Sequence, residues 1–145
     1  GNVLREETFE SGVESGSMVE YSRNGNIVSK GSYIDGVREG PWYFSVGDEI
    51  QEGEFKAGVK NGPWKSYYPD KKLMFEGSYV DGEENGEFKY YYPNGKLKTE
   101  GEFSMGKRHN DWKFYDEDGI LYTSISYQLD DEKKIDGRKI ENGKS

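Results

Sequence analysis

The feature that most constrains this chain is a repeat of about 24 residues. The stretch Gly53-Glu-Phe-Lys-Ala-Gly-Val-Lys-Asn-Gly-Pro-Trp64 returns as Gly77-Ser-Tyr-Val-Asp-Gly-Glu-Glu-Asn-Gly-Glu-Phe88 and as Gly101-Glu-Phe-Ser-Met-Gly-Lys-Arg-His-Asn-Asp-Trp112. Upstream it reads Gly31-Ser-Tyr-Ile-Asp-Gly-Val-Arg-Glu-Gly-Pro-Trp42, and a worn copy holds Phe9, Gly12, Gly16 and Met18. A last copy opens at Ile125-Ser-Tyr127 and dissolves into charge. Internal periods of this length mean an array in which each unit buries its apolar face against its neighbours. We divide the chain into a lead-in (1–6), a repeat domain (7–127) and a charged C-terminal cap or tail (128–145). The repeat domain has about five units: 7–30, 31–52, 53–76, 77–100 and 101–124.

Each unit has two short segments rich in aromatic and β-branched residues, separated by clusters of Gly, Asn, Asp and Pro. This is a strand and hairpin signature, and no stretch sustains a helical period. The expected fold class is therefore all-β: an elongated antiparallel meander of tandem hairpins in a single twisted sheet. The combined share of Leu, Ile, Val and Phe is low for a folded chain of net charge −8, and composition alone would favour disorder. The aromatics, 15% of residues, recur in phase and argue for a packed array.

Turn chemistry predicts the register. Two-residue loops placed at Asn24-Gly25, Gly47-Asp48, Asp70-Lys71, Asn94-Gly95 and Asp118-Gly119 suit hairpins, Asp70-Lys71 least well. They set Met18 opposite Gly31, Trp42 opposite Gly53, Trp64 opposite Gly77, Phe88 opposite Gly101 and Trp112 opposite Ile125. Centring the other connections on Gly36-Val37, Gly58-Val59, Gly82-Glu83 and Gly106-Lys107 brings the same aromatics opposite Gly31, Gly53, Gly77 and Gly101. Each large ring would then lie between two strand glycines, covering the gap that a glycine leaves.

Period-two alternation gathers Trp42, Phe44, Val46, Trp64, Tyr68, Phe88, Tyr90, Tyr92, Trp112 and Phe114 on one face. Tyr33, Phe55, Tyr79, Phe103, Leu73, Phe75, Leu97 and Leu121 join them. The other face carries Lys65, Lys89, Lys113, Glu76, Glu100 and Glu102 and one column of rings, Tyr21, Tyr67, Tyr91 and Tyr115.

The pattern Gly-x-Tyr/Phe-x-x-Gly-x-x-x-Gly-x-Trp, followed by Tyr-Tyr-x-Asn-Gly-x-Leu, resembles the MORN-variant repeat. It is clearest from Gly77 to Leu97, and the resemblance covers roughly residues 7–127. It implies an elongated, often groove-shaped meander. Bacterial members of this type often carry an antitoxin-like label, and the resemblance implies a bacterial chain; its compartment is left open, with the cell envelope or an extracytoplasmic location favoured over the cytoplasm. Other MORN proteins are described as phospholipid binders or membrane-associated scaffolds.

The functional reading is a non-catalytic scaffold. Trp42, Trp64, Phe88, Tyr90, Trp112 and Phe114 form the first candidate partner-binding face, because a single sheet cannot cover its own apolar side. The column Tyr21, Tyr67, Tyr91 and Tyr115 is the second. As core of a thin sheet, the large rings have a purely structural reading as well. The expected partner is a protein or a second copy; planar aromatics beside carboxylates make a glycan or cell-wall polymer the alternative. The acidic balance disfavours nucleic acid and anionic membrane. No apolar run approaches membrane-spanning length, and no signal peptide is legible.

No catalytic residue, metal site or cofactor is expected. There is no cysteine. His109 falls in a predicted turn and reads as a surface histidine. Asp116-Glu117-Asp118-Gly119 lacks the ligand spacing of a calcium loop and reads as a hairpin turn. Glu83-Glu84 and Asp130-Asp131-Glu132 read as solvated charge.

Overall fold

The fold was established from a computed structural model, which describes residues 4–128 in full and, beyond them, the backbone of Asp131–Ile135 and Arg138–Lys139. The remainder of the expected lead-in and tail, including Asp130, lies outside the described residues. The strands are β1 (Leu4–Glu10), β2 (Val13–Tyr21), β3 (Ile27–Ile34), β4 (Val37–Val46), β5 (Glu49–Lys56), β6 (Val59–Tyr67) and β7 (Leu73–Val80). They continue as β8 (Glu83–Glu84), β9 (Gly86–Tyr91), β10 (Leu97–Ser104), β11 (Lys107–Tyr115), β12 (Leu121–Gln128), β13 (Asp131–Ile135) and β14 (Arg138–Lys139). All lie in one open antiparallel sheet in chain order, with β8 and β9 both pairing β7. The sheet runs past both ends of the expected repeat domain: β1 begins at Leu4, and β13 pairs β12 through Ile125 and Ile135.

All five expected hairpin pairs are present. Met18 faces Gly31, Trp42 faces Gly53, Trp64 faces Gly77, Phe88 faces Gly101 and Trp112 faces Ile125. Only the β4–β5 hairpin, however, has the expected two-residue loop, with Val46 opposite Glu49 and Gly47 at φ 61°. The other four hairpins close on wider tips, such as Tyr68 N–H to the Lys72 carbonyl and Lys71 N–H to the Tyr68 carbonyl. A bulge next to each tip absorbs the extra residue and keeps the body of the hairpin in register. It also changes one facing assignment. Leu73, Leu97 and Leu121 pair with Tyr67, Tyr91 and Tyr115 and so share the tyrosine face, not the tryptophan face.

The opposite connections turn one residue earlier than expected. Asp35-Gly36, Ala57-Gly58, Asp81-Gly82 and Met105-Gly106 have positive φ at both positions, the signature of the tight hairpin turn whose twist matches the strands. Two extra residues before each large ring then restore the pairing, so Lys30 faces Tyr43 while Ser32 faces Glu39. The residue two before the ring carries the positive φ that this kink demands: Gly40, Gly62, Gly86 and, in the last unit, Asn110.

The core is a line of rings. Tyr33, Trp42, Phe55, Trp64, Tyr79, Phe88, Phe103, Trp112 and Tyr127 meet in an unbroken edge-to-face series across the sheet. Centroids are 4.9 to 6.5 Å apart and planes 75° to 88°. Each such contact adds about 0.5–1.5 kcal/mol beyond area burial. Met18, 3% exposed, stands at the tryptophan position of the first unit.

Candidate functional site

Neighbouring units are tied to one another at both edges of the sheet. At the tight turns, the N–H groups of Gly36, Gly58, Gly82 and Gly106 donate to the carbonyls of Glu14, Arg38, Lys60 and Glu84, all 2.8 or 2.9 Å away in the preceding unit. At the wide tips, the Tyr68 hydroxyl donates to the Tyr91 carbonyl and the Tyr92 hydroxyl to the Tyr115 carbonyl, both at 2.7 Å. This stitching fixes the spacing of the two broad faces, where a partner would meet the chain.

Trp42, Trp64, Phe88 and Trp112 are between 1% and 4% exposed. They are the rings of the core line and leave almost no surface to a partner. The exposed part of this face is a second row, Phe44, Phe75, Tyr90 and Phe114, all half-buried. Phe44 stacks at 5.6 Å on Trp42 and 6.4 Å on Trp64, and Phe75 at 6.3 Å on Phe88 and 5.6 Å on Tyr90. Tyr90 and Phe114 thus reach the surface, whereas the other four expected site residues do not.

A column of cations lies over these rings, four residues before each tryptophan. The register sets Arg38 opposite Tyr33, Lys60 opposite Phe55 and Arg108 opposite Phe103. The Arg38 guanidinium is 4.9 Å from the Trp42 ring and 5.3 Å from Phe44, Lys60 Nζ is 4.4 Å from Trp64, and Arg108 is 4.5 Å from Tyr127. Burial lowers the Lys60 pKa against the attraction of Glu84 and Glu49. Cation–π contacts of this kind contribute about 0.5–1 kcal/mol at exposed sites. These cations were missed in the sequence; their fixed offset from the tryptophans was the available signal.

Beside Phe44 the second row is broken by a hollow of about 510 Å³. Phe55 and Trp64 floor it, Phe44 and Val46 wall it, and Arg38, Lys60, Glu49 and Gln51 stand around it. Glu49 Oε2 accepts hydrogen bonds from Gln51 Nε2 at 2.8 Å and from the fully buried Ser66 hydroxyl at 2.5 Å.

The other face carries a row of alternating charge in register: Glu52 opposite Lys65, Lys65 opposite Glu76, Glu76 opposite Lys89, Lys89 opposite Glu100 and Glu100 opposite Lys113. This row is self-compensating. The tyrosine column is half-buried beside it. Tyr91 donates to Glu76 Oε2 at 2.6 Å and Tyr115 to Glu100 Oε2 at 2.5 Å. Burial and the bond to Glu76 raise the Tyr91 pKa. The bond to Glu100, then burial, push Tyr115 up to about 12. In the first half of the array this face forms an open groove of about 820 Å³, lined by Val19, Ile27, Pro41, Tyr43 and Pro63 among others.

His109 is not in a turn. It lies in β11 opposite Glu102, half-buried, and its Nδ1 has no hydrogen-bond partner among the described residues. Asp116 to Gly119 form a hairpin tip in which Asp116 Oδ1 accepts the N–H groups of Asp118 and Ile120. Among the described residues no cluster of three or more His, Asp or Glu is arranged to hold a metal ion.

A family model described as MORN repeat variant matches residues 14–35, 60–81, 84–104 and 108–129, more than half of the chain. The matched stretches leave residues 36–59 between them, the part that contains the short β4–β5 hairpin. No curated protein matches the chain.

Proposed function

This chain belongs to the MORN repeat variant family, whose repeats are generally associated with protein or membrane-lipid interaction, and we propose that it is a non-catalytic scaffold for a protein partner. The observation that carries this reading is the second row of half-exposed rings on the tryptophan face, beside a column of cations over the core rings. The core line satisfies the fold, so the half-exposed Phe44, Phe75, Tyr90 and Phe114 are surplus apolar surface, and such surface marks interaction sites. A net charge of −8 weighs against anionic lipid and in favour of a protein. The glycan alternative is weakened because the three indoles on which a sugar ring would stack are buried.

The test is affinity capture with the full chain, followed by reconstitution with the purified partner. Phe114→Asp is expected to weaken the complex at least about tenfold, and Lys113→Glu, on the opposite face, to leave it within about twofold. A chain that forms neither a heteromeric complex nor a dimer would refute the reading, as would a complex insensitive to Phe114→Asp.

A further inference from the structure

The hollow beside Phe44 arises where three positions differ from their counterparts one repeat later in the chain. Where the next unit has Phe75, this unit has Gln51; where the following strand has Tyr90, β6 has Ser66; and Gln51 and Ser66 face each other. At the hairpin tip, Val46 stands in the place of Tyr68 and Tyr92, whose hydroxyls reach across to the neighbouring unit. The tip itself is short and has no bulge. Glu49 therefore stays on the tryptophan face, where its counterpart Leu73 has turned away. The space of about 510 Å³ lies where the next repeat carries Phe75, Tyr90 and Tyr68. The family match passes over residues 36–59, which hold Val46, Glu49 and Gln51.

We propose that this hollow is a docking pocket for an aromatic side chain of a protein partner, a tyrosine flanked by acidic residues. The partner would supply from outside the ring that Phe75 supplies against Tyr90 in the next unit. The inference rests on the scaffold reading and names the chemistry of the partner. Three features define the occupant. The floor and walls, Phe55, Trp64, Phe44 and Val46, select a planar apolar body. Val46 is 71% exposed, which leaves the entrance open. Arg38 and Lys60, in no ion pair among the described residues, present positive charge at the rim of an otherwise acidic chain. Glu49 directs its carboxylate inward to Ser66 and Gln51. Repulsion from the rest of the chain is screened over a Debye length of about 8 Å at physiological salt, so the local charges, Arg38 and Lys60 against the hydrogen-bonded Glu49, govern the contact.

Three blocked tripeptides test the pocket: Asp-Tyr-Asp, Lys-Tyr-Lys and Asp-Ala-Asp, titrated into the full chain. The readout is the set of tryptophan indole N–H signals in a heteronuclear NMR spectrum. Asp-Tyr-Asp is expected to shift the Trp64 signal saturably and to leave Trp112 in place, with Lys-Tyr-Lys at least about tenfold weaker and Asp-Ala-Asp without effect. Gln51→Phe, which puts a ring where Phe75 has one, is expected to abolish the shift. Arg38→Glu, a change at an exposed side chain, is expected to erase the preference for the acidic peptide. The proposal is overturned by an unmoved Trp64 signal up to about 10 mM peptide, by an equal response to Asp-Ala-Asp, or by a shift that survives in folded Gln51→Phe. A partner captured through Phe114 alongside a silent Trp64 would overturn the pocket and leave the scaffold reading standing.

Discussion

Trp64 lies flat across Gly53. A Cβ built on Gly53 would sit 2.1 Å from ring atom Cδ2 of Trp64 and 2.2 Å from Cε2, well inside contact distance. The same relationship joins Trp42 to Gly31, Phe88 to Gly77 and Trp112 to Gly101. Glycine is required here for lack of a side chain, since none of these four has a positive φ. The two-residue kink before each ring swings it over the preceding strand.

Gly53→Ala should therefore be among the most damaging single-methyl additions to this chain. Trp64 is 1% exposed and has nowhere to move, so we expect a loss of about 3 kcal/mol or more, at or beyond the upper end for overpacking. Gly25→Ala is the control: nothing lies within 4 Å of its Cβ position and only its φ of 86° is disfavoured, which costs about 1–2 kcal/mol. Urea denaturation compares the two. A Gly53→Ala midpoint no lower than that of Gly25→Ala would remove the ring from the glycine.

Trp64→Ala, which empties the same position, should cost about 3–5 kcal/mol. The indole also donates from Nε1 to the Glu54 carbonyl at 3.0 Å, as Trp42 does to Ser32 and Trp112 to Glu102. Phe88 lacks that donor over the corresponding carbonyl of Ser78. Phe88→Trp should supply the hydrogen bond and raise stability by about 0.5–1.5 kcal/mol. A fall in the thermal midpoint would show that this unit has no room for the larger ring.

These relationships were partly legible in the sequence. The spacing of glycines and rings is enough to pair Trp42 with Gly53 or Phe88 with Gly101, because period two leaves no freedom of face once a turn is placed. The wide tips and the kinks escaped notice because each bulge adds residues without disturbing the pairs beyond it. Leu73 was thus assigned to the wrong face while Phe75, two residues on, was assigned correctly. The burial of Trp42, Trp64, Phe88 and Trp112 depends on how rings of successive units interlock. Alternation within one strand carries no information about that. The hollow beside Phe44 was invisible for the same reason: it is defined by what Gln51, Ser66 and Val46 lack relative to Phe75, Tyr90 and Tyr68 one repeat on.

Asn110 marks a place where one unit fills a glycine position with another residue. Its φ of 60° matches the positive φ of Gly40, Gly62 and Gly86, and asparagine is among the few residues that tolerate this region. Asn110→Ala should lose about 1–2 kcal/mol, whereas Asn110→Gly should be neutral or stabilising, since among the described residues the amide makes a single long exposed contact, 3.3 Å to Glu102. Equal melting temperatures for the Ala and Gly variants would show that the kink is absent in the last unit.

The tyrosine column should make the fold sensitive to alkali. Tyr115 has its pKa raised from 10.0 to about 12 by its hydrogen bond to Glu100 and by burial, and Tyr91 is raised by burial and its bond to Glu76. In both cases the folded chain favours the neutral phenol. A raised folded-state pKa means that the unfolded chain releases the proton first, so the stabilisation is complete below pH 10.0 and is lost as pH climbs toward about 12. Below pH 10.0 the two hydroxyls contribute a constant amount. The double variant Tyr91→Phe, Tyr115→Phe keeps the rings and removes the protons. It should start less stable than the wild type at neutral pH and lose less of its stability across the alkaline window, so that the two curves converge. Thermal melts in steps through that window measure this, and parallel curves would show that neither hydroxyl is held by its glutamate.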